Sequence, residues 1–185
     1  MGSNQSTFKT LQIGVYAALI IIAITFIRIP MPSAISNSFV HPGNALVILA
    51  VLLMGFKRGC LAACLGLFIF DFMNGYIAVV HFTVLENLCV LVVTYLIYKY
   101  MMKKNDSLTN IILIAVIGAL VKVIVIFIKF LVQQLLLKAS FKAAIAVALT
   151  GMPASLFTAG VTAILVPVLY FPMKNIFIKF HPIGE

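Results

Sequence analysis

The chain has no tryptophan, only four acidic residues, three cysteines and three histidines among its 185 residues. Without tryptophan, any aromatic stacking falls to Phe39, Tyr76, Phe82, Phe130 or Phe157. The cysteines Cys60, Cys64 and Cys89 lie in apolar runs with no C-x-x-C pair, so neither a disulfide framework nor a zinc site is indicated. The histidines His41, His81 and His181 have no metal-type spacing. There is no G-x-x-x-x-G-K-[ST], no G-x-S-x-G and no H-E-x-x-H, which leaves the chain without a phosphate-binding loop, a nucleophile elbow or a zinc-protease helix. No inverted repeat of a self-contained carrier is evident.

What is present is hydrocarbon. Hydrophobic residues make up 64% and charged residues 9%, and the mean hydropathy is +1.21. That composition belongs to membrane proteins. The length suits one integral membrane domain, 1–185, with five or six spans of roughly 20 residues each. The net charge of +9 sits at the ends of apolar runs, which fits anionic headgroups and topology control, not nucleic acid.

Spans are expected at 9–29, 45–56, 60–72, 77–101, 108–137 and 143–170. The fold class is therefore all-α, a polytopic six-helix transmembrane bundle. Residues 1–8 read as a loose polar start, without a signal-peptide cleavage pattern. Pro30 and Pro32 end the first span, Lys57-Arg58-Gly59 separates the second from the third, and Asn74-Gly75 is a turn. Lys103 to Asp106 is a linker. Gly151, Pro153 and Pro167 interrupt the last span, and the tail from Phe171 to Phe180 has the amphipathic character of an interfacial segment. With the N-terminus cytoplasmic, Lys9, Lys57, Arg58, Lys99, Lys103, Lys104, Lys174 and Lys179 lie inside against Arg28, Lys138 and Lys142 outside. Eight against three favours this orientation, with both termini in the cytoplasm of a cell-membrane protein.

Against that background the buried charges stand out. Asp71 and Glu86 sit in apolar helices, and a membrane-centred charge costs about 3 kcal/mol or more unless paired or used. Lys122, Ile126, Lys129 and Gln133 follow one helical face. Lys122 is too deep to reach either surface, and Glu86 is its natural partner. On the preceding span Thr83, Glu86, Asn87 and Val90 share a face. The groups either fix helix packing or contact a polar ligand, and the two readings are compatible. Asp71, Glu86, Lys129 and Gln133 all fall toward the external side. The first external loop, with Asn37, Phe39, His41 and Asn44 among prolines, is placed to cover such a pocket or merely to connect. A broken helix around Thr150, Gly151, Pro153 and Ser155 would expose backbone groups to a ligand. Gly14, Ala17 and Ala18 give the first span a small-residue face for close helix approach, and Gly59, Ala62, Ala63 and Gly66 give the third another.

Residues 39–76 read FVHPGNALVILAVLLMGFKRGCLAACLGLFIFDFMNGY. This stretch resembles the substrate-binding S components of energy-coupling factor (ECF) vitamin transporters. Their pattern is an aromatic-x-H-x-G-[DN] start, an apolar helix, a G-x-[KR]-x-G turn, a small-residue helix, then Asp and Gly-Tyr. Here the matches are Phe39, His41, Gly43 and Asn44, then Gly55, Lys57 and Gly59, then Asp71, Gly75 and Tyr76. The first span departs, with Gly14-x-x-x-Ala18 in place of paired alanines. The resemblance implies a high-affinity membrane binder with no enzymatic activity and no cofactor. It implies partnership with an ECF coupling transmembrane subunit and two ATPase subunits, the coupling subunit meeting Gly14, Ala17 and Ala18. It implies a ligand near the external face, among Phe39, His41, Asn44, Asp71, Tyr76, Thr83, Glu86, Asn87, Lys122, Lys129, Gln133 and Ser155. The riboflavin/pyridoxine/hydroxymethylpyrimidine-like branch is the nearest. Mixed charges and crowding by bulky residues favour a vitamin B6 vitamer or a pyrimidine precursor, with riboflavin as the alternative. A proton-coupled carrier acting alone, with Glu86 titrating, and a membrane-embedded enzyme using Asp71 and Glu86 are the competing classes.

Overall fold

A computed structural model of the chain describes residues 2–31 and 39–180. Asn37 and Pro32 of the first external loop lie outside the described residues. Seven α-helices are present among them: α1 (Gly2–Phe26), α2 (Gly43–Met54), α3 (Phe56–Met73), α4 (Val80–Leu96), α5 (Leu108–Leu136), α6 (Phe141–Thr150) and α7 (Met152–Phe180). A π-helical turn, Ile97–Met101, ends α4. Two short antiparallel strands, β1 (Ile29–Pro30) and β2 (Phe39–Val40), pair Ile29 with Val40 and Pro30 with Phe39.

The core is organised around α2. Every one of its residues except Leu53 is buried, as expected of a helix that is apolar on all sides. It packs against α1, α3, α4, α5 and α7, which surround it, while α6 leans on α5 and α7. Ile48, Leu49 and Val51 on α2 meet Ile20 and Ile24 on α1, Leu91 on α4, Ile111 and Ile114 on α5, and Val166 on α7 in one continuous cluster. At 12 residues α2 is about 18 Å long, well short of a hydrocarbon core of about 30 Å. Among the described residues, four segments are long and apolar enough to cross a membrane: Ser6–Phe26, Val80–Met101, Leu108–Leu136 and Met152–Lys179.

Several boundaries differ from the sequence reading. The expected sixth span is divided at Gly151 into α6 and α7, so the helix count is seven among the described residues. Pro167 does not interrupt α7, which also continues through Pro172; in a packed bundle, neighbours accommodate the carbonyls that a proline leaves unpaired. The expected interfacial tail is part of α7 as well. Phe177 packs edge-on against Tyr16, with ring centroids 6.2 Å apart, and Lys174 ion-pairs with Asp106, so the tail is bound to the bundle. The polar residues 2–8 extend α1. The break between α2 and α3 falls at Gly55, whose φ of 77° suits glycine, and Lys57 and Arg58 begin α3.

Close helix approach depends on small residues. A Cβ on Gly59 would meet Ala50 O and Val51 Cα at 2.5 Å, and one on Gly66 would meet Ala17 O at 2.9 Å. These contacts bring α3 against α2 and α1 respectively. At the far end of the bundle from Gly151, the α4–α5 loop is tied down by Asp106. Its carboxylate accepts from the Tyr98 hydroxyl and from Lys174 Nζ. Partial burial opposes ionisation, but the hydrogen bonds from Lys174 and the tyrosines prevail and hold Asp106 below the usual carboxylate range.

The clash at Gly59 is with backbone, which a rotamer change does not relieve. Gly59→Ala is expected to lower stability by about 1–3 kcal/mol through forced separation of α2 and α3. Thermal unfolding in detergent micelles measures this, with Gly14→Ala, where an added Cβ meets nothing within 4 Å, as the comparison that helix propensity should leave equally or slightly more stable.

Candidate functional site

The polar residues of the apolar helices converge on one cavity of about 390 Å³. It lies where α3 and α5 run out and α2, α4 and α7 begin. β2 and its exit contribute Phe39 and His41, and the first turn of α2 contributes Asn44. The end of α3 and the turn after it supply Asp71 and Tyr76. α4 supplies Thr83, Glu86 and Asn87, α5 supplies Lys122, Lys129 and Gln133, and α7 supplies Ser155. All twelve residues expected around a ligand therefore line a single space. A volume of this size is within the range of small-molecule pockets.

Glu86 is the electrostatic centre. Its Oε1 accepts a hydrogen bond from Lys122 Nζ at 2.8 Å, and its Oε2 lies 2.7 Å from Lys129 Nζ. The second contact is an ion pair at hydrogen-bonding distance, and with two lone pairs Oε2 retains acceptor capacity. Helical spacing explains the arrangement. Lys122 and Lys129 are seven residues apart and project from the same side of α5 toward one carboxylate on α4.

The two lysines differ in how far they are committed. Lys122 also donates to Asn87 Oδ1 at 2.8 Å, and its side chain is 7% exposed. Asn87 in turn donates through Nδ2 to Thr83 O at 2.7 Å. Lys122 and Asn87 are thus engaged within the protein. Lys129 is 18% exposed, lies 4.9 Å from the centroid of the Phe130 ring, and faces the cavity. Asp71 also lines the space and is buried; its carboxyl meets the Thr83 side chain, and its Oδ2 has no hydrogen-bond partner among the described residues.

One wall of the cavity is aromatic. Phe39 sits 6.3 Å from Phe70, and Phe70 sits 6.3 Å from Tyr76, centroid to centroid. The β1–β2 pairing holds Phe39 there, and Arg28, which donates to Asn74 Oδ1 at 3.2 Å, lies over its ring. His41 stacks on Phe39 at 5.3 Å and accepts the Gly43 N–H on Nδ1 at 3.1 Å. Its side chain is only partly covered, yet burial of the ring pushes its pKa down to about 4, aided by the charge of Lys122 and opposed by Glu86. The imidazole is therefore neutral at neutral pH, and with Nδ1 accepting, Nε2 carries the proton.

Some expectations fall elsewhere. Phe157 is exposed and, like the half-buried Phe82, is not part of the lining. His81 is exposed and stacks on Phe82 at 4.3 Å. Of the small residues of α1, Ala17 is buried against Gly66 of α3, whereas Gly14 and Ala18 are on an open face. Phe70, Ala154 and Thr158 line the cavity without having been singled out in the sequence. Thr158 was legible, three residues beyond Ser155 on the same helical face. Among the described residues no three histidine, cysteine or acidic side chains gather as a metal site would require.

Removing one partner from a buried ionic cluster strands the other. Lys122→Ala is expected to cost about 3–5 kcal/mol, and Lys129→Ala distinctly less, because Glu86 keeps its hydrogen-bonded lysine and Lys129 already meets the cavity. Denaturant unfolding in micelles should reproduce that order.

The chain matches, over residues 4–175, the family described as ECF-type riboflavin transporter, S component. No curated protein and no solved structure matches it. A match over nearly the whole chain, together with four long apolar helices and a polar cavity between helices, identifies a membrane-embedded protein of vitamin uptake: the chain belongs to the ECF-type riboflavin transporter S-component family, whose members are substrate-binding subunits and not enzymes.

Proposed function

We propose that this S component captures a single-ring heteroaromatic vitamin, a vitamin B6 vitamer or a hydroxymethylpyrimidine, in the cavity around Glu86. The observation that carries this reading is Asp71 Oδ2, buried in the wall of the cavity without a hydrogen-bond partner among the described residues. A buried carboxylate oxygen without a partner is costly, and a ligand hydroxyl, amine or ring N–H would satisfy it. Lys129 and His41 Nε2 offer donors, and Glu86 Oε2 offers a further acceptor. Phe39, Tyr76 and Phe130 offer ring faces for an aromatic guest. Lys122 and Asn87 act one step back, holding Glu86 in place.

Riboflavin is the second reading. The family's description favours it, and a cavity of about 390 Å³ is roomier than the sequence-based argument from crowding by bulky side chains supposed. The charge asymmetry of the chain ends supports a multi-pass protein of the cell membrane with six crossings, cytoplasmic termini and a cavity open to the outside. Transport then requires an ECF coupling subunit and two ATPase subunits. The open face of α1 with Gly14 and Ala18 is the proposed contact for the coupling subunit, and Ala17, being buried, supports α3 instead.

The ligand is tested by thermal shift of the purified chain with pyridoxine, pyridoxal, hydroxymethylpyrimidine and riboflavin. A ligand at a hundred times its Kd stabilises by about 2.7 kcal/mol. The single-ring compounds are expected to give the larger shift, and Lys129→Ala to weaken binding about tenfold or more. In liposomes the chain alone should bind without accumulating ligand. No shift with any of the four, or uptake by the chain alone driven by a proton gradient, contradicts the proposal.

The partner face is tested by Gly14→Leu, which fits the free protein because nothing lies within 4 Å of the added Cβ. Ligand affinity should be unchanged and co-purification with the coupling subunit lost. Unchanged assembly would place the contact on another face.

A further inference from the structure

At the opposite end of the bundle from the vitamin cavity are two recesses that share a wall. The first is an apolar groove of about 520 Å³ between α1 and α7, lined by Leu11, Val15, Leu19, Leu169 and Met173 among others, with almost no polar surface. The second is a pocket of about 180 Å³ that contains Arg58, Tyr98, Asp106, Tyr170 and Lys174. Gln12 and Phe177 line both.

Chemistry and dimensions both bear on the occupant. From Gln12, which both recesses share, the groove runs along α1 to Leu19, about 10 Å at 1.5 Å per residue. That is about two thirds of one leaflet of a hydrocarbon core of about 30 Å. The polar pocket has two cations against one anion. Asp106 is taken by Lys174 and Tyr98. The guanidinium of Arg58 has only a long hydrogen bond, 3.4 Å, to Gln12 Oε1. Arg58 and Lys174 are both half-buried, so their charge is less screened than on an open surface. A planar guanidinium with donors to spare suits a phosphodiester. Tyrosine hydroxyls and Gln12 add neutral polar contacts of the kind headgroups accept.

From this continuity of an apolar groove with a cationic pocket, we infer that α1, α3 and α7 form a binding site for one anionic glycerophospholipid, its phosphate held by Arg58 and Lys174 and one acyl chain lying along Val15, Leu19 and Leu169. The site is independent of the vitamin cavity and of the choice of vitamin. It rests only on the protein being embedded in a bilayer. A lipid held there would occupy the α1–α7 seam, next to the helix that carries Gly14 and Ala18.

The test is native mass spectrometry of the full chain released from nanodiscs of equal dioleoyl-phosphatidylglycerol and dioleoyl-phosphatidylcholine. One phosphatidylglycerol per chain should be retained, preferred about fivefold over phosphatidylcholine, the factor that one basic residue contributes near a membrane surface. Arg58→Gln should remove the preference. Val15→Trp, which fills the groove, should abolish retention, whereas Leu120→Trp on the exposed side of α5 should not. Inorganic phosphate should not displace the lipid. Equal retention of the two lipids, an unchanged preference in Arg58→Gln, indifference to Val15→Trp or displacement by inorganic phosphate each overturns the inference. A dimer mass without lipid, which would mean that a second copy fills the groove, overturns it too. Vitamin binding by Val15→Trp and Arg58→Gln, measured in parallel, shows that the variants are folded.

Discussion

Two ammonium groups share one carboxylate inside a mostly apolar bundle, and that interaction governs the rest of the structure. Glu86 holds Lys122 and Lys129 at 2.8 and 2.7 Å. In a hydrocarbon environment none of the three is tolerable alone. Together they fix α4 against α5 in one register, since a slip of either helix would separate the charges. Such clusters seldom add net stability over a well-packed apolar core. Lys122 is spent on structure, while Lys129 and Asp71 retain capacity toward open space.

The remainder of the fold builds the walls of that space. α2, short and buried, fills the centre of the bundle. Glycines at 59 and 66 let α3 press on α2 and α1. The β1–β2 pair holds aromatic side chains in the cavity wall. At the far end, Asp106 ties the α4–α5 loop to α7, leaving a narrower polar pocket beside an apolar seam. One molecule thus has two chemically different ends.

The site was more legible in the sequence than the helix boundaries were. Charges in membrane helices are so unfavourable that Asp71, Glu86, Lys122 and Lys129 announce themselves, and helical spacing adds Gln133, Thr83 and Asn87. The sequence could not show that Lys122 is committed to Asn87 while Lys129 is not, because that depends on rotation of α5 against α4. Nor could it show that Ala17 faces α3 while Gly14 and Ala18 do not, since small residues pack equally well inside a bundle or against a partner. Pro167 read as a break because local propensity opposes helix there, yet packing on α2 and α5 carries α7 through it and on through Pro172. Asp106 read as a linker residue; its partner Lys174 is 68 positions away, and no local pattern connects them.

The most direct measurement is a structure of the protein with its vitamin bound. The account predicts the heteroaromatic ring between Phe39 and Phe130, within hydrogen-bonding distance of Lys129 and Asp71, with the Glu86–Lys122 pair undisturbed behind it. A ligand seated away from these groups, or a closed and empty space around Glu86 while ligand is bound elsewhere, would contradict it.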